Sequence, residues 1–202
     1  MNKIISYILP FITVAFGIYI AKNVWVSMLG YHFFAILILV GNKQGYQLKR
    51  LFSGGSFNVV LMVGLVTAFS GVVLYYSGSI VNLPTDFGVL LASMGLTHNT
   101  WWIFILYYSF INPIIEEIYW RGYLGSDTKK LTFSDFCYAG YHPLVFIRFV
   151  DWPWAIIEFF ALLAVAWLWR MLVKKYDGLL LPLVMHFSAD IGIVIAIFFL
   201  AK

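Results

Sequence analysis

Six ionisable side chains stand inside or at the edges of strongly apolar runs: Glu116, Glu117, Arg121, His142, His186 and Asp190. Carboxylates, imidazoles and a guanidinium in such surroundings are the equipment of acid–base hydrolysis, in which a base takes a proton from water and donors meet the negative charge that the attack creates. Placing one charge at the centre of a bilayer costs at least ~2.5 kcal/mol on insertion scales, so residues of this kind face a bundle interior and carry a function. Spacing separates their roles. Glu117 and Arg121 are four apart on one helix face, an ion pair with the glutamate N-terminal. Glu116 lies about 100° round the helix from Glu117 and points elsewhere. His186 and Asp190 are also four apart and present an imidazole beside a carboxyl. Just upstream of the glutamates, Asn112-Pro113 bends a helix and leaves a backbone carbonyl unpaired. Tyr138, one turn before His142, reads as a packing partner whose hydroxyl is also able to orient a ligand. Glu116, His142, His186 and Asp190 are also able to form a mixed nitrogen and oxygen set for zinc, a reading ranked lower because the paired-histidine helix motif is missing. His32 and His98 read as loop or interface residues, and Arg148, Asp151 and Glu158 as a local ion-pair group on the opposite face.

The elements that must position these groups are membrane helices. The chain has 202 residues, 62% hydrophobic and 11% charged, with a mean hydropathy of +0.89. Soluble domains carry roughly 25% charged residues, so a water-soluble fold is excluded, as is an extramembrane domain of any size. The expected fold is an all-α polytopic transmembrane bundle of about seven spans, with bounds of about six and eight. The apolar runs place helices near 4–21, 24–40, 57–78, 101–120, 136–150, 154–170 and 179–200, with 87–96 too short to cross. Residues 1–21 resemble a signal peptide but lack a small-residue cleavage site, so they read as a retained first helix. The whole chain, 1–202, reads as one integral membrane domain, with N-terminal helices and a cytoplasmic loop in 1–56 and catalytic helices in 101–200.

Charge sets the orientation. With the N-terminus in the cytoplasm, ten Lys and Arg face inward (Lys3, Lys43, Lys49, Arg50, Arg121, Lys129, Lys130, Arg170, Lys174, Lys175) against three outward (Lys22, Arg148, Lys202). These are topology cations in short loops, so the net charge of +4 implies no nucleic-acid partner. Tryptophans 101, 102, 120, 152, 154, 167 and 169 read as interfacial belts. Gly54-Gly55-Ser56 reads as a flexible turn, and the lone Cys137 permits neither an internal disulfide nor a cysteine metal cluster. In this arrangement Glu116 lies about one turn from the cytoplasmic boundary, and His142 and His186 about 9 to 11 Å into their helices. Three helices thus deliver polar groups to one layer near the cytoplasmic face.

The pattern Glu116-Glu117-x-x-x-Arg121, then Tyr138-x-x-x-His142, then His186-x-x-x-Asp190 resembles the three ordered motifs of the CPBP (CAAX protease and bacteriocin-processing, Abi) family of intramembrane glutamic endopeptidases. The resemblance covers residues 113–190. It implies that Glu116 is the general base, that His142 shares the attacking water, and that His186 with Asp190 steadies the transition state. Glu117, Arg121 and Tyr138 become support for the site, and neither metal nor cofactor is implied. Two departures stand out: Tyr138 replaces a phenylalanine, and Asp190 stands where the eukaryotic prenyl-protein enzymes carry asparagine. An ionised Asp190 would orient His186 rather than donate to an oxyanion. The implied activity is hydrolysis of a peptide bond in a membrane-associated protein or peptide, reached from the bilayer or the cytoplasm of a prokaryotic plasma membrane. The alternatives are an idle scaffold or bacteriocin-immunity protein that binds another membrane protein, and a zinc-dependent membrane protease. A proton-coupled transporter would place its carboxylates nearer the midplane.

Overall fold

Apolar runs of bilayer length become helices, which close their own backbone hydrogen bonds. The computed structural model describes residues 3–202 and contains no strand among them. Helix α1 (Lys3–Ala15) runs on through a wider π-helical turn (Phe16–Ile20). Asn23 then caps α2 (Val24–Gly41), its side-chain oxygen accepting from the Trp25 and Val26 amides at 2.9 and 3.2 Å. A short α3 (Gln47–Arg50) leads to α4 (Phe57–Ser77), and the run near 87–96 forms the seven-residue α5 (Phe87–Ser93). Helix α6 (Trp101–Glu116) passes into a second π-helical segment (Glu117–Tyr123). There follow α7 (Phe133–Tyr141), α8 (Pro143–Phe146), α9 (Trp152–Tyr176) and α10 (Leu180–Leu200).

Among the described residues five helices are long and apolar enough to cross a membrane: Lys3–Ile20, Val24–Gly41, Phe57–Ser77, Trp152–Tyr176 and Leu180–Leu200. The expectation of about seven spans therefore holds for five. The predicted helix 136–150 is two pieces, because Pro143 has no N–H to continue the hydrogen-bond ladder and its ring crowds the preceding turn. Nine residues of α7 rise about 14 Å, too little to cross a core of about 30 Å. The run from Trp101 to Tyr123 has sufficient length but carries Glu116, Glu117 and Arg121 and changes helical geometry at Glu117.

Small residues bring the helices together. Helix α4 buries only Gly64 and Gly71, and a Cβ at Gly71 would lie 2.2 Å from the Gly192 carbonyl oxygen, so α4 and α10 cross backbone to backbone. The rest of α4 presents Leu65, Phe69 and Val73 outward, as a lipid-facing helix does. Gly54 and Gly55 turn with φ of 95° and 104°, and this loop docks on the α9–α10 turn, where the Leu179 and Leu180 amides donate to Arg50 and Ser53 carbonyls. The end of α10 that carries His186 is thereby tied to the α3 loop.

Three sequence expectations change here. Trp101, Trp120 and Trp169 are buried rather than belted at an interface; the Trp120 indole donates to the Tyr31 hydroxyl at 2.9 Å. Arg170 is a buried clamp rather than a loop cation. Its guanidinium donates to both Asp135 carboxylate oxygens and to the Ser126, Thr128 and Lys130 carbonyls. None of Arg148, Asp151 and Glu158 joins an ion pair among the described residues, and Glu158 Oε2 meets no hydrogen-bond partner there.

Candidate active site

The site forms where α6 ends. Glu116 is the last residue of its α-helical part and Glu117 the first of the π-helical turn, a distortion that recurs at functional sites because it re-aims successive side chains. Both carboxyls are buried, as are Arg121, His186 and Asp190. His186 sits between the glutamates. Its Nδ1 lies 2.8 Å from Glu117 Oε1, and its Nε2 is 3.6 Å from both Glu116 Oε2 and Asp190 Oδ2. Arg121 Nη1 approaches Glu117 Oε1 at 3.3 Å, and its guanidinium lies over the rings of Tyr138 at 3.9 Å and Trp169 at 4.9 Å.

Helix α7 supplies the second wall. The capping box formed by Thr132 and Asp135 starts the helix, and nine residues later His142 stands at its broken end. The His142 Nδ1 lies 2.8 Å from the Tyr138 carbonyl oxygen, which only accepts; Nδ1 therefore carries the hydrogen, and in the neutral ring Nε2 keeps its lone pair. The His142 ring stacks on Tyr141 with centroids 4.1 Å apart, and the Tyr141 hydroxyl donates to Glu116 Oε1 in a short contact. Tyr138 lies edge-on to both imidazoles, 4.8 Å from His142 and 6.4 Å from His186.

Glu116, Glu117, Arg121, His186 and Asp190 are thus joined directly, and His142 joins them through Tyr141. Several polar atoms lack hydrogen-bond partners. Among the described residues Glu116 Oε2, Glu117 Oε2 and both Arg121 Nη atoms meet no hydrogen-bond partner. Buried oxygens and nitrogens left without hydrogen-bond partners in one cluster are groups that a water or a polar substrate group would satisfy.

Four contributors escaped the sequence reading. Tyr141 and Trp169, whose ring lies 4.9 Å from that of His186, were not singled out for the site. Asn112 was marked only for the bend at Pro113, yet its amide Nδ2 donates to Asp190 Oδ2 at 3.0 Å. His32 is neither a loop nor an interface residue. It is buried in mid-α2, with Nε2 3.0 Å from Asn112 Oδ1 and Nδ1 3.2 Å from the Tyr107 hydroxyl. A histidine at the centre of an apolar run is itself the signal that marks it.

A family model described as type II CAAX prenyl endopeptidase, Rce1-like, matches residues 98–192. That stretch holds every residue of the three motifs. No curated protein and no solved structure gives a match.

Proposed function

We propose that the chain is a CPBP-type, CAAX-protease-like membrane endopeptidase, a reading supported by the family-model match over residues 98–192, and that it hydrolyses a peptide bond of a membrane-associated protein by direct attack of water, without a covalent intermediate. Glu116 takes a proton from the water through Oε2, with the Nε2 lone pair of His142 holding the other hydrogen. The water oxygen adds to the scissile carbonyl carbon, and the resulting oxyanion meets the Nε2–H of His186, whose Nδ1–H is held by Glu117. Collapse breaks the C–N bond, and Glu116 returns its proton to the leaving amine. Asp190 orients His186; Glu117, Arg121 and Tyr138 fix the cluster.

The observation that carries this reading is the division of labour at Glu116. One carboxylate oxygen accepts from Tyr141, and the other is buried, without a hydrogen-bond partner among the described residues, and 3.6 Å from His186 Nε2. A general base needs an open oxygen beside an electrophilic donor. On the seven-span reading the charge count also favours a cytoplasmic site: with buried Arg121 and Arg170 set aside, eight inward cations stand against three outward. We place the N-terminus in the cytoplasm of a prokaryotic cell and the substrate within the membrane or at its inner face.

Comparing protein N-termini in cells that carry the wild type or Glu116→Gln tests the proposal. New N-termini near membrane boundaries are expected with the wild type alone. Identical sets from a variant that accumulates normally would sink the peptidase, and a cellular phenotype preserved in that variant would point to a scaffold.

A further inference from the structure

Two helices carry a ladder. On α6, Asn112 stands four residues before Glu116; on α10, Asp190 stands four residues after His186, and the two helices pack together. One rung is Glu116 Oε2 facing His186 Nε2 at 3.6 Å, and the other is the Asn112 amide donating to Asp190 Oδ2 at 3.0 Å. His32 of α2 completes the second rung from behind. It lies outside the stretch 98–192 that matches the family model. His32, Asn112 and Asp190 are each less than a tenth exposed, at 2%, 4% and 7%.

The hydrogen bonds have a direction. An amide oxygen only accepts, so His32 Nε2 donates to Asn112 Oδ1, and His32 Nδ1 then accepts from the Tyr107 hydroxyl. The sequence of donors is Tyr107, His32, Asn112, and it ends on Asp190 Oδ2. The opposite direction requires a protonated Asp190 that donates to Asn112 Oδ1, an amide nitrogen facing His32 Nε2, and a hydrogen on His32 Nδ1. The tautomer of His32 therefore reports the state of a carboxyl two hydrogen bonds away.

We propose that His32 and Asn112 are positioning residues, which hold Asp190 as a hydrogen-bond acceptor turned toward His186, so that Asp190 orients the imidazole and does not itself donate to the oxyanion. This rests on the peptidase reading for its consequence in catalysis, but not for the network itself. The N-terminal half of the chain thereby contributes to the site through α2. A buried polar chain of this kind also satisfies groups that a bilayer would leave unpaired. A positioning role differs from that bland one because the chain terminates on Asp190, beside the imidazole that faces Glu116.

Nitrogen-15 NMR of histidine-labelled protein in micelles tests the network without any substrate. The expected wild-type spectrum has His32 protonated at Nε2 and bare at Nδ1; a hydrogen at Nδ1 overturns the direction and the proposal with it. In Asn112→Ala the His186 ring signals are expected to move, and unchanged signals overturn the coupling. Catalysis is read on an internally quenched farnesylated peptide ending in a Cys-aliphatic-aliphatic-X sequence. Asn112→Ala is expected to lower kcat about 10- to 100-fold, the scale of a lost hydrogen bond to a charged group, with KM changed less than about threefold. His32→Gln, which keeps an N–H toward Asn112, retains most of what His32→Ala loses. Wild-type kcat in Asn112→Ala beside an inactive Glu116→Gln overturns the positioning role. Cleavage by Glu116→Gln itself overturns the peptidase reading and leaves the NMR result standing.

Discussion

Two buried arginines meet buried carboxylates in this molecule, and they do so in opposite ways. Arg170 is saturated: its guanidinium donates to both oxygens of Asp135 and to three carbonyls of the loop 126–130. Asp135 is equally full, because it also accepts from the backbone and hydroxyl of Thr132 as part of the α7 cap. Arg121 pairs with Glu117 at 3.3 Å but leaves both Nη atoms without hydrogen-bond partners among the described residues, and it leans on the rings of Tyr138 and Trp169 instead. A saturated buried pair holds structure, whereas an unsaturated one beside a base keeps hydrogen-bonding capacity for a group that arrives. The Arg170 cluster anchors the start of α7, which sets where His142 stands; the Arg121 cluster borders the groups that would do chemistry.

The contrast breaks most sharply at Glu116. Glu116→Gln is expected to lower cleavage by about 10³- to 10⁴-fold, the upper range for loss of a general base, while thermal unfolding in detergent stays at the wild-type midpoint. A variant that unfolds early and cleaves in proportion to its folded fraction would place Glu116 with the structural group. Arg170→Ala should do the reverse. It is expected to cost about 3 to 5 kcal/mol of stability by stranding Asp135, seen as a lowered unfolding midpoint, and the double change with Asp135→Ala should recover part of that loss. If Arg170→Ala folds as the wild type does, the saturated cluster is not the anchor.

Smaller changes sharpen the comparison. Tyr141→Phe removes the hydroxyl from Glu116 Oε1 and should slow cleavage about tenfold, about 1.4 kcal/mol, at unchanged stability; kcat on folded, monodisperse protein is the measurement. Thr132→Ala removes the α7 cap and should cost about 1 kcal/mol, read from the unfolding midpoint, with kcat per folded molecule unaltered. A loss of kcat in that variant would join the two clusters that the geometry keeps apart.

Much of the candidate site is legible in the sequence. The spacing of Glu117 and Arg121, and of His186 and Asp190, puts each pair on one helix face whatever the helices do next. The apolar runs also located the helices that carry these pairs, because a backbone in lipid must close its own hydrogen bonds. Which groups then met across helices was not readable. In a soluble protein an apolar stripe marks the inward face of each helix. Here α4 is apolar all round, and its buried face is two glycines, Gly64 and Gly71. Lipid is as apolar as the core, so hydropathy leaves the rotation of a helix about its axis undetermined.

That missing rotation explains the particular errors. Trp120 and Trp169 stand near helix ends, as belt residues do, yet both turn inward, to Tyr31 and to His186. Arg170 sits one turn before two exposed lysines but points back over the loop to Asp135. His32 has no local partner in the sequence because Tyr107 and Asn112 lie 75 and 80 residues away. Sequence alone determined a helical membrane protein with an acid–base set on three of its segments, since hydropathy and spacing along one chain are local properties. Only the tertiary structure decided that Tyr141 holds Glu116, that His186 lies between two glutamates, and that α2 reaches the site through His32. Those meetings depend on how each helix is turned toward its neighbours, and small residues at the crossings and buried polar groups in search of partners set that turn.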